Sequence, residues 1–395
     1  MIYRYMEPWL GTGLLTGGGN KWRVHRKLIT PAFHFSILDK FAETFAERAD
    51  DMVHILEDKV SKGYFDIDAY VTKCALDIIA ETSMGKRVYA LKDPKSKYVD
   101  AIVSLCEIST RRYTNPIWAN DFLFKFTKPG KRFFDDIEYV NGNTLKIIEE
   151  KRAQLEKTKS TIRVDELGRK ERLAFIDILL TTQEPKPFTD EEIIEQVNTF
   201  MFAGQDTSSI TTGFTLFALG NEPEIQAKVH EELDSVFQGS DRIITPQDIA
   251  SLDYLDRVVK EAMRYYYFVP EIGRCLTEEL VLDGHHIPVC TTVILDLYEL
   301  HHNPEHYPDP YKFDPDRFLP EEVAKRHVYA YVPFSAGPRN CVGQKFGLRN
   351  AKTMIASVLR KFKVKSRDKP QDLRFYIEGL LRPQGGLYVA LELRK

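Results

Sequence analysis

The segment Phe334-Ser335-Ala336-Gly337-Pro338-Arg339-Asn340-Cys341-Val342-Gly343 constrains this chain more than any other. It is a tight loop punctuated by glycine and proline, and a helical pattern begins directly after it. Ala351, Met354, Ile355, Val358, Leu359 and Phe362 keep the spacing of one buried helix face. Cys341 therefore falls at or just before a helix N-terminus, where unpaired N–H groups and the positive dipole end favour a thiolate. Gly337 and Gly343 let the backbone approach something flat and bulky. Arg339 sets a cation beside the same object. Three readings stand side by side. The first is a small buried hydrophobe, the commonest fate of a lone cysteine. The second is a thiolate nucleophile, which wants a neighbouring histidine base that the loop lacks. The third is a thiolate ligand to haem iron, with Arg339 meeting a propionate.

The chain has 395 residues, 43% of them apolar, enough for a large core. A formal charge of −3 and a pI near 6.4 give no support to a nucleic-acid role. Five cysteines, widely spaced and odd in number, argue against a secreted disulfide framework. Residues 1–8 contain no apolar run of signal-peptide or anchor length, and no other segment is long and apolar enough to span a bilayer.

Residues 9–20 form a glycine-rich loop that fails the dinucleotide fingerprint, because no strand precedes it and the glycine spacing is wrong. Lys21 to Lys27 opens a helix, with Trp22 and Arg26 four apart on one face, either an exposed basic turn or a pair reaching one ligand. Leu38, Phe41, Phe45, Met52 and Leu56 mark a scaffold helix, and further helices are expected over about 66–79 and about 131–157. Pro116 ends a helix in a loop. The charged stretch 149–172 reads as solvated helix end and loop.

Thr189 and Glu192 form a capping-box pattern ahead of the longest helical run, extending to about 219 and spanning about 45 Å. Residues 210–219 are apolar on all sides, so this helix is central. Inside it, Gly204 to Ser209 is a polar island, and Asp206 at mid-bilayer would cost about 2.5–3.5 kcal/mol, against a membrane span. Asp206 and Thr207 either bond back to helix carbonyls or act together as a proton relay. Leu255, Val258, Val259, Ala262, Met263 and Tyr266 mark another buried face carrying Glu261 and Arg264, an i, i+3 pair of a common kind. Residues 277–295 are strand-like, turning at Asp283-Gly284. His301-His302-Asn303-Pro304-Glu305-His306 tempts a zinc reading, but Pro304 and the lack of His-Glu-x-x-His favour a surface loop. Leu373/Phe375/Ile377 and Leu387/Val389/Leu391/Leu393 alternate around Gly385-Gly386 as a terminal hairpin whose turn touches substrate.

The cysteine loop fills every fixed position of Phe-x-x-Gly-x-Arg-x-Cys-x-Gly, and so resembles the haem-binding loop of the cytochrome P450 monooxygenases. Other segments resemble the family in its own order: Trp22-x-x-x-Arg26, Ala203-Gly204-Gln205-Asp206-Thr207, and Glu261-x-x-Arg264 with Phe313-Asp314-Pro315-Asp316-Arg317-Phe318. The resemblance implies one domain over 1–395, mainly α with small β-sheets (α+β), the cytochrome P450 fold lacking its N-terminal part. About the first fifth of a family chain, with its membrane anchor, is expected to be missing. It implies haem b ligated by Cys341, with Phe334, Gly337, Arg339 and Gly343 around it. Trp22, Arg26 and Arg274 would meet its propionates. Ala203 and Gly204 would lie opposite, where the helix loosens into a groove for O2 and Asp206 and Thr207 deliver protons. Glu261, Arg264 and Arg317 would form a buried triad holding the cysteine loop.

The implied activity is insertion of one oxygen atom of O2 into an apolar substrate, fatty-acid-like, hormone or xenobiotic. Electrons would come from NADPH through NADPH–cytochrome P450 reductase, with cytochrome b5 as a second donor. Lys21, Arg23, Lys27, Lys345 and Arg349 would attract the reductase's acidic surface. The full-length form would sit at the cytosolic face of the endoplasmic reticulum membrane. The alternatives are a catalytically silent haem-binding fragment or short isoform, and a peroxide-rearranging relative, against which Asp206-Thr207 argues. The wording is closest to the family-4 branch, with two departures. Ala203 stands where many members carry a glutamate that esterifies haem, so haem is expected to be non-covalent. Tyr265-Tyr266-Tyr267-Phe268 replaces Leu-Tyr-Pro-Ser, which alters the cavity.

Overall fold

The computed structural model describes residues 2–93, 95–157, 174–182, 186–378 and 380–394. Its main helices are α1 (Gly19–Ile29), α2 (Phe35–Glu57), α3 (Asp68–Met84), α4 (Lys97–Thr114), α5 (Lys128–Lys157), α6 (Asp190–Asn221), α7 (Pro223–Phe237), α8 (Asp253–Tyr265), α9 (Leu297–His302) and α10 (Gln344–Lys361). Short strands are β1 (Phe65–Asp66), β2 (Glu271–Cys275), β3 (Leu280–Leu282), β4 (His285–Ile287), β5 (Thr292–Asp296), β6 (Phe362–Ser366), β7 (Phe375–Glu378), β8 (Leu380–Pro383) and β9 (Tyr388–Leu393). The architecture is mainly helical with small antiparallel sheets, as the sequence implies.

Helix α6 is the axis of the molecule. The Glu192 N–H donates to the Thr189 hydroxyl at 3.2 Å, and the Glu192 carboxylate accepts from the Thr189 N–H at 3.1 Å. That reciprocal cap satisfies two of the helix's free donors and fixes where it starts. From Ile210 to Leu219 every residue is buried, including Thr211, Thr212 and Thr215. Those three hydroxyls donate to the carbonyls four residues earlier at 2.7–2.8 Å, so polar side chains sit in the core without orphaned protons. Helix α3 packs along one side of α6, where a Cβ at Gly204 would fall 2.5 Å from Ile79 Cδ1. The glycine thus permits close helix contact. Helix α10 packs on α2 and α6, burying the predicted face from Ala351 to Leu359.

The Asp283-Gly284 turn joins β3 to β4 with both residues at positive φ. The terminal hairpin is a different object from the one expected. Strand β7 pairs with β8, while β9 pairs with β6 and β1. The period-two patterns were real, but pairing partners are set by tertiary packing. Gly385 and Gly386 border Asp66 and Arg382, and do not line the cavity beside Cys341. The histidine cluster also departs from a surface loop: α9 ends at His302, and His301 and His302 are buried. Pro304 stops the helix just after them, as proline must, but says nothing about which face is covered. No metal-holding cluster occurs among the described residues.

Residues 158–172 of the predicted charged loop lie outside the described residues. From Pro116 the chain makes two short helices rather than a loop, Pro116–Ala119 capped by Asn115 and Asp121–Phe126 capped by Asn120. All five cysteines are free thiols. Among the described residues, no helix is long and apolar enough to cross a membrane.

Candidate functional site

A cavity of about 310 Å³ separates α6 from the cysteine loop. Ala203, Gly204 and Thr207 form one wall, and Phe334, Cys341 and Val342 form the other. The loop is folded by its own backbone. Asn340 N–H donates to Gly337 O at 3.1 Å, with Gly337 at φ +71°, and Cys341 N–H donates to Phe334 O at 2.9 Å. A side chain at Gly337 would be strained by that φ. Gly343 is the N-cap of α10, and its N–H donates to the Cys341 sulfur. Burial pushes the Cys341 thiol up, against the pull of the Gly343 N–H and Arg26. The helix start lies three residues past the sulfur, so its dipole does not by itself ionise the thiol as the sequence suggested. A metal cation in the cavity would deprotonate it.

Trp22, Arg26, Arg274 and Arg339 line the same cavity. Arg26 donates to Asn340 O at 2.8 Å and Oδ1 at 2.7 Å, which ties α1 to the loop. Arg339 lies 3.8 Å over the Trp22 ring and donates to Gly17 O at 2.9 Å. Trp22 gives its indole N–H to Leu14 O at 3.2 Å, and Arg274 donates to Gly273 O at 2.8 Å. None of the three guanidiniums forms an ion pair among the described residues. Burial lowers the pKa of Arg26 and Arg339, and Arg274 and Arg26 lower Arg339 further by repulsion. Such a cluster asks for an anion. An apolar slot, a thiol on one wall and three unneutralised cations fit haem, a flat apolar ring with two carboxylates and a metal that takes sulfur.

The acid and alcohol of α6 part company. Thr207 faces the cavity and donates its hydroxyl proton to Ala203 O at 2.7 Å. Asp206 is buried on another face, ion-paired to Arg382 of β8. Helix α6 runs unbroken from Asp190 to Asn221, so the expected loosening is not seen. The threonine hydroxyl is instead used within its own helix, on Ala203 O. Arg382 was invisible to sequence reading, since nothing local to Leu381-Arg382-Pro383 points to a partner 176 residues away.

Asp66 and Asp68 border the pocket that holds Arg382 and Asp206. Burial raises the Asp68 carboxyl to about 6, with Arg382 pulling down and Asp66 and Asp206 pushing up. An acid with a raised folded pKa keeps its proton in the native state while the unfolded chain has lost it. Stability therefore falls as pH rises from about 4 to about 6. Asp68→Asn removes that penalty, worth no more than about 3 kcal/mol at 1.36 kcal/mol per pKa unit. Denaturant titrations are expected to show the variant more stable than the wild type at pH 7 and equal to it at pH 4. A wild type equally stable at both pH values, with no gain in the variant, contradicts this.

Behind the loop, Glu261 and Arg264 are fully buried and joined by two bonds of 2.8 Å. Asp314 N–H donates to Glu261 Oε1 at 2.8 Å, while Arg317 Nε lies at 3.6 Å, within ion-pair range but beyond a hydrogen bond. The triad is thus assembled, with Arg317 held mainly by Asp309 O at 2.8 Å. The basic patch is thinner than expected. Lys21 is paired with Glu195 at 2.8 Å and Arg349 with Asp39 at 2.7 Å, while Arg23 and Lys27 are exposed.

The sequence model of the family described as Cytochrome P450 matches residues 1–391. Cytochrome P450 4c21 of Blattella germanica is 41% identical over all of this chain and 79% of its own length. Cytochrome P450 4V2 of Homo sapiens is 39% identical over all of this chain and 76% of its own. The crystal structure of the cytochrome P450DA haem domain superposes with a TM-score of 0.85 at 22% identity, covering this whole chain and 81% of that one, a likeness of fold.

Proposed function

The chain belongs to the cytochrome P450 family and is a P450 monooxygenase, and on that premise we propose that it hydroxylates an apolar, fatty-acid-like substrate at haem b ligated by Cys341. The observation that carries this reading is Cys341 facing α6 across an apolar cavity rimmed by unpaired guanidiniums. Haem held there by Cys341 would supply the activation of O2, the chemistry that a thiolate ligand favours.

The chain's own residues divide the remaining work. Arg26, Arg274 and Arg339, which line the cavity, would hold the propionates. Phe334, Ala203 and Val342 line the cavity and would exclude water from a bound ring. Thr207 passes a proton at its hydroxyl once that group turns from Ala203 O into the cavity. Asp206 is the proton source, drawing on the pocket beside Asp68 when it exchanges Arg382 for Thr207. Electrons arrive from NADPH through cytochrome P450 reductase, whose acidic face meets Arg23 and Lys27, with cytochrome b5 as a second donor. Microsomal attachment, on the cytosolic face of the endoplasmic reticulum, fits an apolar substrate drawn from lipid.

The test is turnover of medium- and long-chain fatty acids by the haem-loaded protein with reductase and NADPH. Hydroxylated product that requires all three supports the reading. No product despite a thiolate-type carbonyl spectrum overturns the substrate assignment, and no such spectrum supports a silent fragment. Ala203 carries no carboxylate, so acidified organic solvent is expected to extract all the haem. Haem retained on the denatured chain would show a covalent bond.

A further inference from the structure

The segment Ala330–Pro333 enters the cysteine loop between buried side chains from other elements. Val332 N–H donates to His301 Nε2 at 3.1 Å. His301 is fully buried, and its own carbonyl accepts from Arg264 at 3.0 Å. Tyr267 meets the His301 ring edge-on, with centroids 4.3 Å apart at 76°. Its phenol oxygen is 3.4 Å from both Val332 O and Pro333 O, a shared and long contact. Tyr307 adds a bond to Ala330 O at 3.1 Å. The next carbonyl along, Phe334 O, is the one that accepts the Cys341 N–H at 2.9 Å. A continuous line of contacts therefore runs from Glu261 through Arg264, His301 and Val332 to the residue that carries the sulfur.

An imidazole that accepts at Nε2 is the neutral Nδ1–H tautomer. Its Nδ1 has no hydrogen-bond partner among the described residues, which is a cost that an apolar residue would avoid. What the imidazole provides in return is the acceptor for Val332.

We propose that His301 and Tyr267 form a clamp on Val332 and Pro333 that positions the Cys341 sulfur. Both are positioning residues, and the spectroscopic part of the proposal rests on the reading of Cys341 as the iron ligand. His301→Leu removes the acceptor and keeps an apolar side chain, His301→Gln supplies a replacement acceptor, and Tyr267→Phe removes only the hydroxyl.

The full-length haem-loaded chain and its variants would be compared by reduced carbonyl spectrum, haem reduction potential, melting temperature and amide hydrogen exchange at Val332 and Cys341. In His301→Leu, exchange at both amides is expected to rise about tenfold, the effect of losing one buried hydrogen bond. A substantial part of its carbonyl band is expected to leave the thiolate position. His301→Gln restores both readouts, and Tyr267→Phe moves them in the same direction by less. A folded His301→Leu protein with unchanged exchange, spectrum and potential overturns the clamp. Absence of a thiolate band in the wild type overturns the assignment of Cys341 instead, and exchange at Val332 still decides the clamp.

Discussion

Glu261→Ala is expected to yield protein that retains no haem and is destabilised by about 3–5 kcal/mol, the cost of breaking a fully buried ion pair from one side. Glu261 accepts two bonds from Arg264 and one from the Asp314 N–H, and it faces Arg317 at ion-pair range. Burial raises its carboxyl, and Arg264, the Asp314 amide and Arg317 oppose that shift, so the carboxylate and its partners are kept in place together. Removing the carboxylate leaves Arg264 charged and buried, with the carbonyls of His301 and Lys312 and the ring of Tyr307 but no anion beside it among the described residues. The disturbance passes through His301 to the cysteine loop. Urea titration and the haem-to-protein ratio after purification measure the two effects. Glu261→Ala combined with Arg264→Leu is expected to recover part of the stability, because Arg317 then loses its carboxylate but keeps the Asp309 carbonyl. A single variant with wild-type stability and full haem content would contradict the account of the triad.

Cys341→Ser is expected to lower monooxygenase turnover by roughly three orders of magnitude, or about 4 kcal/mol in the barrier. The replacement is nearly isosteric, the bonds Asn340 to Gly337 and Cys341 to Phe334 are backbone to backbone, and a serine oxygen can still accept from the Gly343 N–H. The fold is therefore expected to hold, with a melting temperature close to the wild type. A hydroxyl is a hard, weakly donating ligand, so the electron push toward O–O cleavage is lost. Product formation with NADPH and reductase is the readout. Unchanged turnover would remove Cys341 from the chemistry.

The site is legible in the sequence where a function needs specific residue types within a few positions. The cysteine loop is one such place, because its tight turn and its backbone bonds are decided locally. The Thr189 and Glu192 cap and the Asp283-Gly284 turn are legible for the same reason: local backbone chemistry decides them. What cannot be read are partners distant along the chain. Asp206 pairs with Arg382, Lys21 with Glu195, and β9 with β6 and β1, and each choice is made by tertiary packing. His301 shows the same limit. Pro304 correctly ends its helix, yet only the packed structure brings the imidazole against Val332. For Thr207, back-bonding and proton delivery were both open, and in the resting geometry its hydroxyl is on Ala203 O.

Sulfur at the iron is the claim on which the rest depends. X-ray absorption at the iron edge of the haem-loaded wild type reads it directly, with no assay of substrate or reductase in between. One sulfur bonded to iron, absent in Cys341→Ser, is the predicted result. An iron surrounded only by nitrogen and oxygen in the wild type, or sulfur persisting in the serine variant, would contradict the account.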